Sequence, residues 1–138
     1  METDEELPSV IIERAFSGPP ETIVEVSVEL LGLLASSLSH LIGEDGFESL
    51  LNRSVRRVTK QFIWLRFDAA ARASDPEFEA MRLCFMEQDQ AQVRAASIAL
   101  FQTLMEILSS LVGVHLTTLI LTTALGRAGK IIKEPHHG

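Results

Sequence analysis

The sequence contains no tyrosine, and aromatic residues make up only 6% of it. Its interior must therefore be built from Leu, Ile, Val and Ala, the usual material of packed helix stripes. Cysteine occurs once, at Cys84. An intramolecular disulfide is thus excluded, and a reducing compartment is the default expectation. Positive charge is also scarce: 12 Lys and Arg stand against 19 Asp and Glu, for a net charge of −7. That balance disfavours wholesale binding to nucleic acid, whose phosphates would repel the chain. The opening residues METDEELPS are acidic and lack the basic and apolar stretches of a signal peptide, so the expected address is cytoplasmic. There is no Walker loop, no Gly-x-Gly-x-x-Gly and no Gly-x-Ser-x-Gly.

What is present is aliphatic periodicity. With 138 residues, 46% of them hydrophobic, the chain is long enough to bury one core. The reading is a single all-α domain over residues 9–129, a bundle of four to six helices, with an acidic tail (1–8) before it and a tail (130–138) after it. A short helix is expected with Ser9 as N-cap and Val10, Ile11, Ile12 and Phe16 as its apolar side. Ser17-Gly18-Pro19-Pro20 stops it. A second helix should run from about Glu21 to Ile42, with Ile23, Leu30, Leu34, Leu38 and Leu41 in one stripe.

Gly43 ends that helix. The next, from about Asp45 to Leu65, shows the clearest spacing: Phe47, Leu50, Leu51, Ser54, Val55, Val58, Phe62 and Leu65. After an alanine-rich connection, Ser74 or Asp75 can cap a helix opening at Pro76, with Phe78, Met81, Cys84 and Phe85 on its apolar side. The polar run at 87–90 marks a break or a wet stretch of one long helix. From Val93 the period resumes through Ala96, Leu100, Leu104, Ile107, Leu108 and Leu111 to Gly113. A last helix follows to Leu125, with Gly126 and Gly129 as its end.

Placing Gly43 on Gly113 aligns Leu34 with Leu104, Leu38 with Leu108, Ser39 with Ser109 and Leu41 with Leu111. Beyond the glycine, Leu50 meets Ile120, Leu51 meets Leu121 and Val55 meets Leu125. Two sequence-related helical hairpins, neither able to cover its own apolar face, would then pack together. The alternative is chance agreement between two leucine-rich segments. The stretch 107–125 lacks Asp, Glu, Lys and Arg and is followed by Arg127, Lys130 and Lys133, so it meets the formal pattern of a membrane span. Gly113, His115 and six Ser and Thr hydroxyls favour a soluble core or an oligomer interface instead.

Candidate chemistry is sparse. His40, in SLSHLIGED, lacks the sequence surroundings of a phosphorelay histidine, His115 has no partner at i+4, and His136 and His137 sit in a tail. The one Glu-x-x-His, Glu134 to His137, falls in that tail and not on a bundle helix, so no metal or other cofactor is expected. Cys84 in MRLCFME reads as inert packing. Glu25 and Glu29 stand one turn apart, which alone makes no acid–base pair. No catalytic residue is assigned, and the chain is read as not an enzyme. The charged feature that stands out is a basic stripe, Arg53, Arg56, Arg57 and Lys60, opposite the Phe47–Leu51–Val58–Phe62 seam. It is a candidate contact for an anion or an acidic partner. The bland alternative is a solvated helix face.

The segment HLIGEDGFESLLNRS followed by QFIWL resembles a group of small bacterial all-helical proteins of unassigned activity. The resemblance covers roughly residues 33–65 and, more faintly, LSSLVG. It implies a bacterial cytosolic origin and brings no activity, cofactor or catalytic residue. In that group the second corner is often more acidic than Gly113-Val114-His115. The resulting expectation is a protein-interaction or regulatory module, a homodimer with an acidic protein as a further partner. The alternatives are a bundle that holds a small apolar or anionic ligand and a protein anchored in a membrane through 107–125.

Overall fold

The computed structural model describes residues 7–66 and 78–133. Five helices follow one another: α1, Pro8–Ala15; α2, Ile23–Thr59; α3, Glu79–Met86; α4, Gln90–Val112; and α5, Val114–Lys133. A 3-10 turn, Pro20–Thr22, leads into α2, and no strand occurs among the described residues. The all-α expectation holds. The acidic residues 1–6, the caps Ser74 and Asp75 with Pro76, and His136 and His137 lie outside the described residues.

Helix α1 starts at Pro8, two residues earlier than Ser9 as N-cap would allow. Pro8 occupies its first turn, where a missing N–H costs nothing, and extended Leu7 is the cap. Ile11, Ile12 and Phe16 are buried as expected, but Val10 points outward. At the other break, Asp89 caps α4 by accepting a hydrogen bond from Gln92 N–H at 2.8 Å. The polar run is therefore a true interruption between α3 and α4. Described helix in α3 begins at Glu79, after Phe78 in the left-handed conformation.

Two glycines shape the long helices. Gly43 divides α2 into arms 23–42 and 44–59 with φ 84° and ψ 161°. Gly113 separates α4 from α5 with φ 94° and ψ 154°. This region of backbone space is essentially closed to residues with a side chain. A Cβ at either site would meet nothing within 4 Å, so the backbone and not crowding demands glycine. Gly113 N–H donates to Ser109 O at 2.8 Å, and Gly113 O accepts from Thr117 N–H at 3.1 Å. One residue thus closes a helix and opens the next without a linker.

Helix α2 packs along α4 and α5; α1 lies on α4 and α5, and α3 lies on α2. Each short helix therefore rests on a long helix that does not directly follow it. The α1 contact is made by Phe16 stacked on Phe101 at 5.4 Å between ring centres. Arg94 on α4 donates to the carbonyls of Phe16 and Gly18, fixing the loop that follows α1. On the other side, Arg82 of α3 pairs with Glu25 of α2, and Trp64 packs edge-on against Phe85. The core proper is aliphatic: Leu30, Leu31, Leu34, Leu38, Leu51, Leu100, Leu104 and Leu108 are all sealed from solvent. Each such side chain contributes about 1.5–3 kcal/mol relative to exposure.

Burial follows the same sequence offset as the glycines. From 23–57 and 93–127, residues 70 apart share the same degree of burial except at Val26/Ala96, Val28/Ile98, Ser37/Ile107, Leu50/Ile120 and Val55/Leu125. Each exception is only a step between buried and half-buried.

Several expectations change. The helical period puts Leu41 and Leu111 on apolar stripes, but they are 47% and 58% exposed. Both lie in the last turn before a glycine, where the helix has run past the elements that cover its earlier turns. The second arm of α2 stops at Thr59, so Phe62 and Leu65 are buried from a turn, not from helix. Helix α5 continues through Gly126 to Lys133. Glycine inside a helix costs only about 1 kcal/mol relative to alanine, and its helical neighbours outweigh that. The stretch 107–125 is not one helix, because Gly113 breaks it. By length and composition alone, Pro20–Thr59, itself broken at Gly43, and Gln90–Val112 are apolar enough to cross a membrane, with 39% and 44% of their apolar windows buried in the fold.

Candidate functional site

The second arm of α2 buries Phe47, Leu50, Leu51, Ser54, Val55 and Val58. A helix that commits those positions inward must turn 53, 56, 57 and 60 outward. Arg53, Arg56, Arg57 and Lys60 are indeed exposed, and together with Thr59 they line one open cleft of about 470 Å³. All the cations singled out from the sequence are thus brought to one site.

The end of the helix shapes that cleft. Thr59 Oγ1 lies 2.7 Å from Val55 O and 2.8 Å from Leu65 O, tying the last turn to the segment beyond it. Lys60 is the C-cap residue, so its ammonium stands where the chain leaves the helix. Arg56 and Arg57 also complement the negative end of the helix dipole. That local role accounts for positive charge in the last turn, though not for Arg53 one turn earlier.

Sequence spacing missed two residues of the site. Thr59 sits between the cations in the chain, and its polar side chain could have been noticed there. Glu106 comes from α4, and its Oε1 lies 3.5 Å from Arg57 Nη1. No local pattern could have found it. Both partners of that ion pair are more than half exposed, so the pair contributes little to stability. Glu25, at the start of α2, is paired with Arg82.

Chemically, the cleft offers guanidinium forks and an ammonium, which suit carboxylate or phosphate oxygens. Among the described residues its lining holds no Ser, Cys, His, Asp or Glu. Elsewhere, Cys84 is half-buried and donates to Trp64 O at 3.1 Å, while His40 Nδ1 lies 2.8 Å from Ser36 O. Among the described residues, no group of three or more His, Cys, Asp or Glu is placed to hold a metal ion. No family model matches the chain, nor does any curated protein or solved structure.

Proposed function

We propose that this chain is a non-enzymatic protein-interaction module that takes an acidic segment of a partner protein into the cleft of the second α2 arm. The observation that carries this reading is the convergence of Arg53, Arg56, Arg57 and Lys60 on one open cleft in a chain of net charge −7. A third of its Lys and Arg residues are gathered there, with Glu106 the one acid paired to them in the described contacts. An open, shallow site suits an extended peptide better than a small molecule, which ordinarily needs to be enclosed.

The module is read as two sequence-related helical hairpins. In support stand the near-identical backbone angles of Gly43 and Gly113, the parallel burial of residues 70 apart, and the short helix ahead of each long one. The test of function is titration with a poly-glutamate peptide at low and high salt. Binding that weakens steeply with salt, and is lost in the Arg53→Gln/Arg56→Gln/Arg57→Gln variant, is the expected result. Equal binding by the variant and the parent would end the proposal.

A further inference from the structure

The basic cleft lies beside the place where α1 begins. Leu7 and Pro8 share a small cavity with Met105 and Glu106 of α4. Gln102 Nε2 donates to Ser9 O at 3.4 Å, which holds the first turn of α1 against α4. Glu106 Oε1 in turn lies 3.5 Å from Arg57 Nη1, so one side chain stands between the start of α1 and the cleft. Leu7 is exposed, and upstream of it the sequence reads Glu2-Thr3-Asp4-Glu5-Glu6. Four acids in five positions thus join the fold next to the four cations Arg53, Arg56, Arg57 and Lys60.

Among the described residues, Glu106 pairs with Arg57, and Arg53, Arg56 and Lys60 are left without an acid. We propose that residues 2–6 of the same chain occupy this cleft until an acidic partner displaces them. The proposal rests on the reading of the cleft as an acid-binding surface and adds its resting occupant. Length is sufficient: residues 2–6 span up to about 17 Å when extended, and Arg53 to Lys60 takes up about 10 Å of helix. The chemistry matches, since carboxylates are what guanidinium forks and an ammonium bind best. Proximity favours the chain's own segment over that of another copy, because a short tether gives an effective concentration of about a millimolar. Each exposed ion pair is weak, so the segment stays displaceable.

Carbodiimide coupling of the full chain tests the proposal, because it joins a carboxylate directly to an amine in contact with it, and Lys60 supplies the amine of the cleft. Peptide mass spectrometry of the monomer fraction should find residues 2–6 joined to Lys60 at low salt, and the link should be largely lost at high salt. The Glu2→Gln/Asp4→Asn/Glu5→Gln/Glu6→Gln variant should bind poly-glutamate at least about threefold more tightly than the parent at low salt, because nothing has to be displaced. No link to Lys60 at low salt, or a link formed only between two copies, would overturn the proposal. Equal poly-glutamate affinity of variant and parent would also overturn it and leave the acid-binding reading of the cleft standing. Binding by neither protein would end both.

Discussion

Ser27 of α2 and Ser97 of α4 hydrogen-bond to each other, Oγ to Oγ at 2.8 Å, and neither is exposed to solvent. They are 70 residues apart, the same offset that relates Gly43 to Gly113. In a duplicated fold, a residue that touches its own counterpart would lie on the twofold axis relating the halves, as at an isologous dimer interface. The pair is therefore where the proposed duplication can be tested by energy as well as by shape.

Ser27→Ala and Ser97→Ala should each destabilise the fold by about 1–3 kcal/mol, because each leaves one buried hydroxyl without its partner. The double variant should lose less than the sum of the two. Urea denaturation of all four proteins gives the coupling energy, expected to be at least about 0.5 kcal/mol. Strict additivity would mean that the hydroxyls do not depend on each other.

Gly43→Ala and Gly113→Ala should each cost about 1–3 kcal/mol, since the required backbone angles are nearly forbidden to alanine. Neither change creates a clash. Gly32→Ala is the control: Gly32 lies in regular helix with open space around its Cα, and the substitution should stabilise by about 0.5–1 kcal/mol. If all these variants melt alike, the two corners are not what the backbone angles say.

Ser39 has a buried Oγ with no hydrogen-bond partner. Ser39→Ala removes an unsatisfied hydroxyl and should raise the urea midpoint slightly or leave it unchanged, in contrast to Ser27→Ala. A clear drop in the midpoint would show that the hydroxyl is bonded in solution.

The Arg53→Gln/Arg56→Gln/Arg57→Gln variant should change stability by about half a kcal/mol or less per site, because these side chains are exposed and the Arg57–Glu106 pair is weak. Its loss of poly-glutamate binding should shrink as salt rises, since screening removes the same attraction in the parent. Unfolding of the variant in a melting experiment would assign the arginines to the structure and not to a partner.

Much of this fold could be read locally. The 3.6-residue period placed Phe47, Leu51, Val58 and Leu104 in the core, and they are there. Gly43 and Gly113 were recognised as corners because glycine next to a finished apolar run is a local stop. The same period misplaced Leu41 and Leu111, since periodicity states which residues share a face and not where the covering neighbour ends. Thr59, polar and set between the cations in the chain, is legible locally, whereas Glu106 has no sequence proximity to Arg57.

The sequence by itself determined the helical class, the breaks at Pro19-Pro20, Gly43 and Gly113, and the outward stripe of arginines, because each depends on interactions within a few residues. Tertiary structure alone decided that Ser27 meets Ser97, that Glu106 stands beside Arg57, and that α1 lies on α4 and α5 while α3 lies on α2. Those relations join residues tens of positions apart. They arise only when apolar faces choose one another, and dispersion and water exclusion carry no record of the partner in the local sequence.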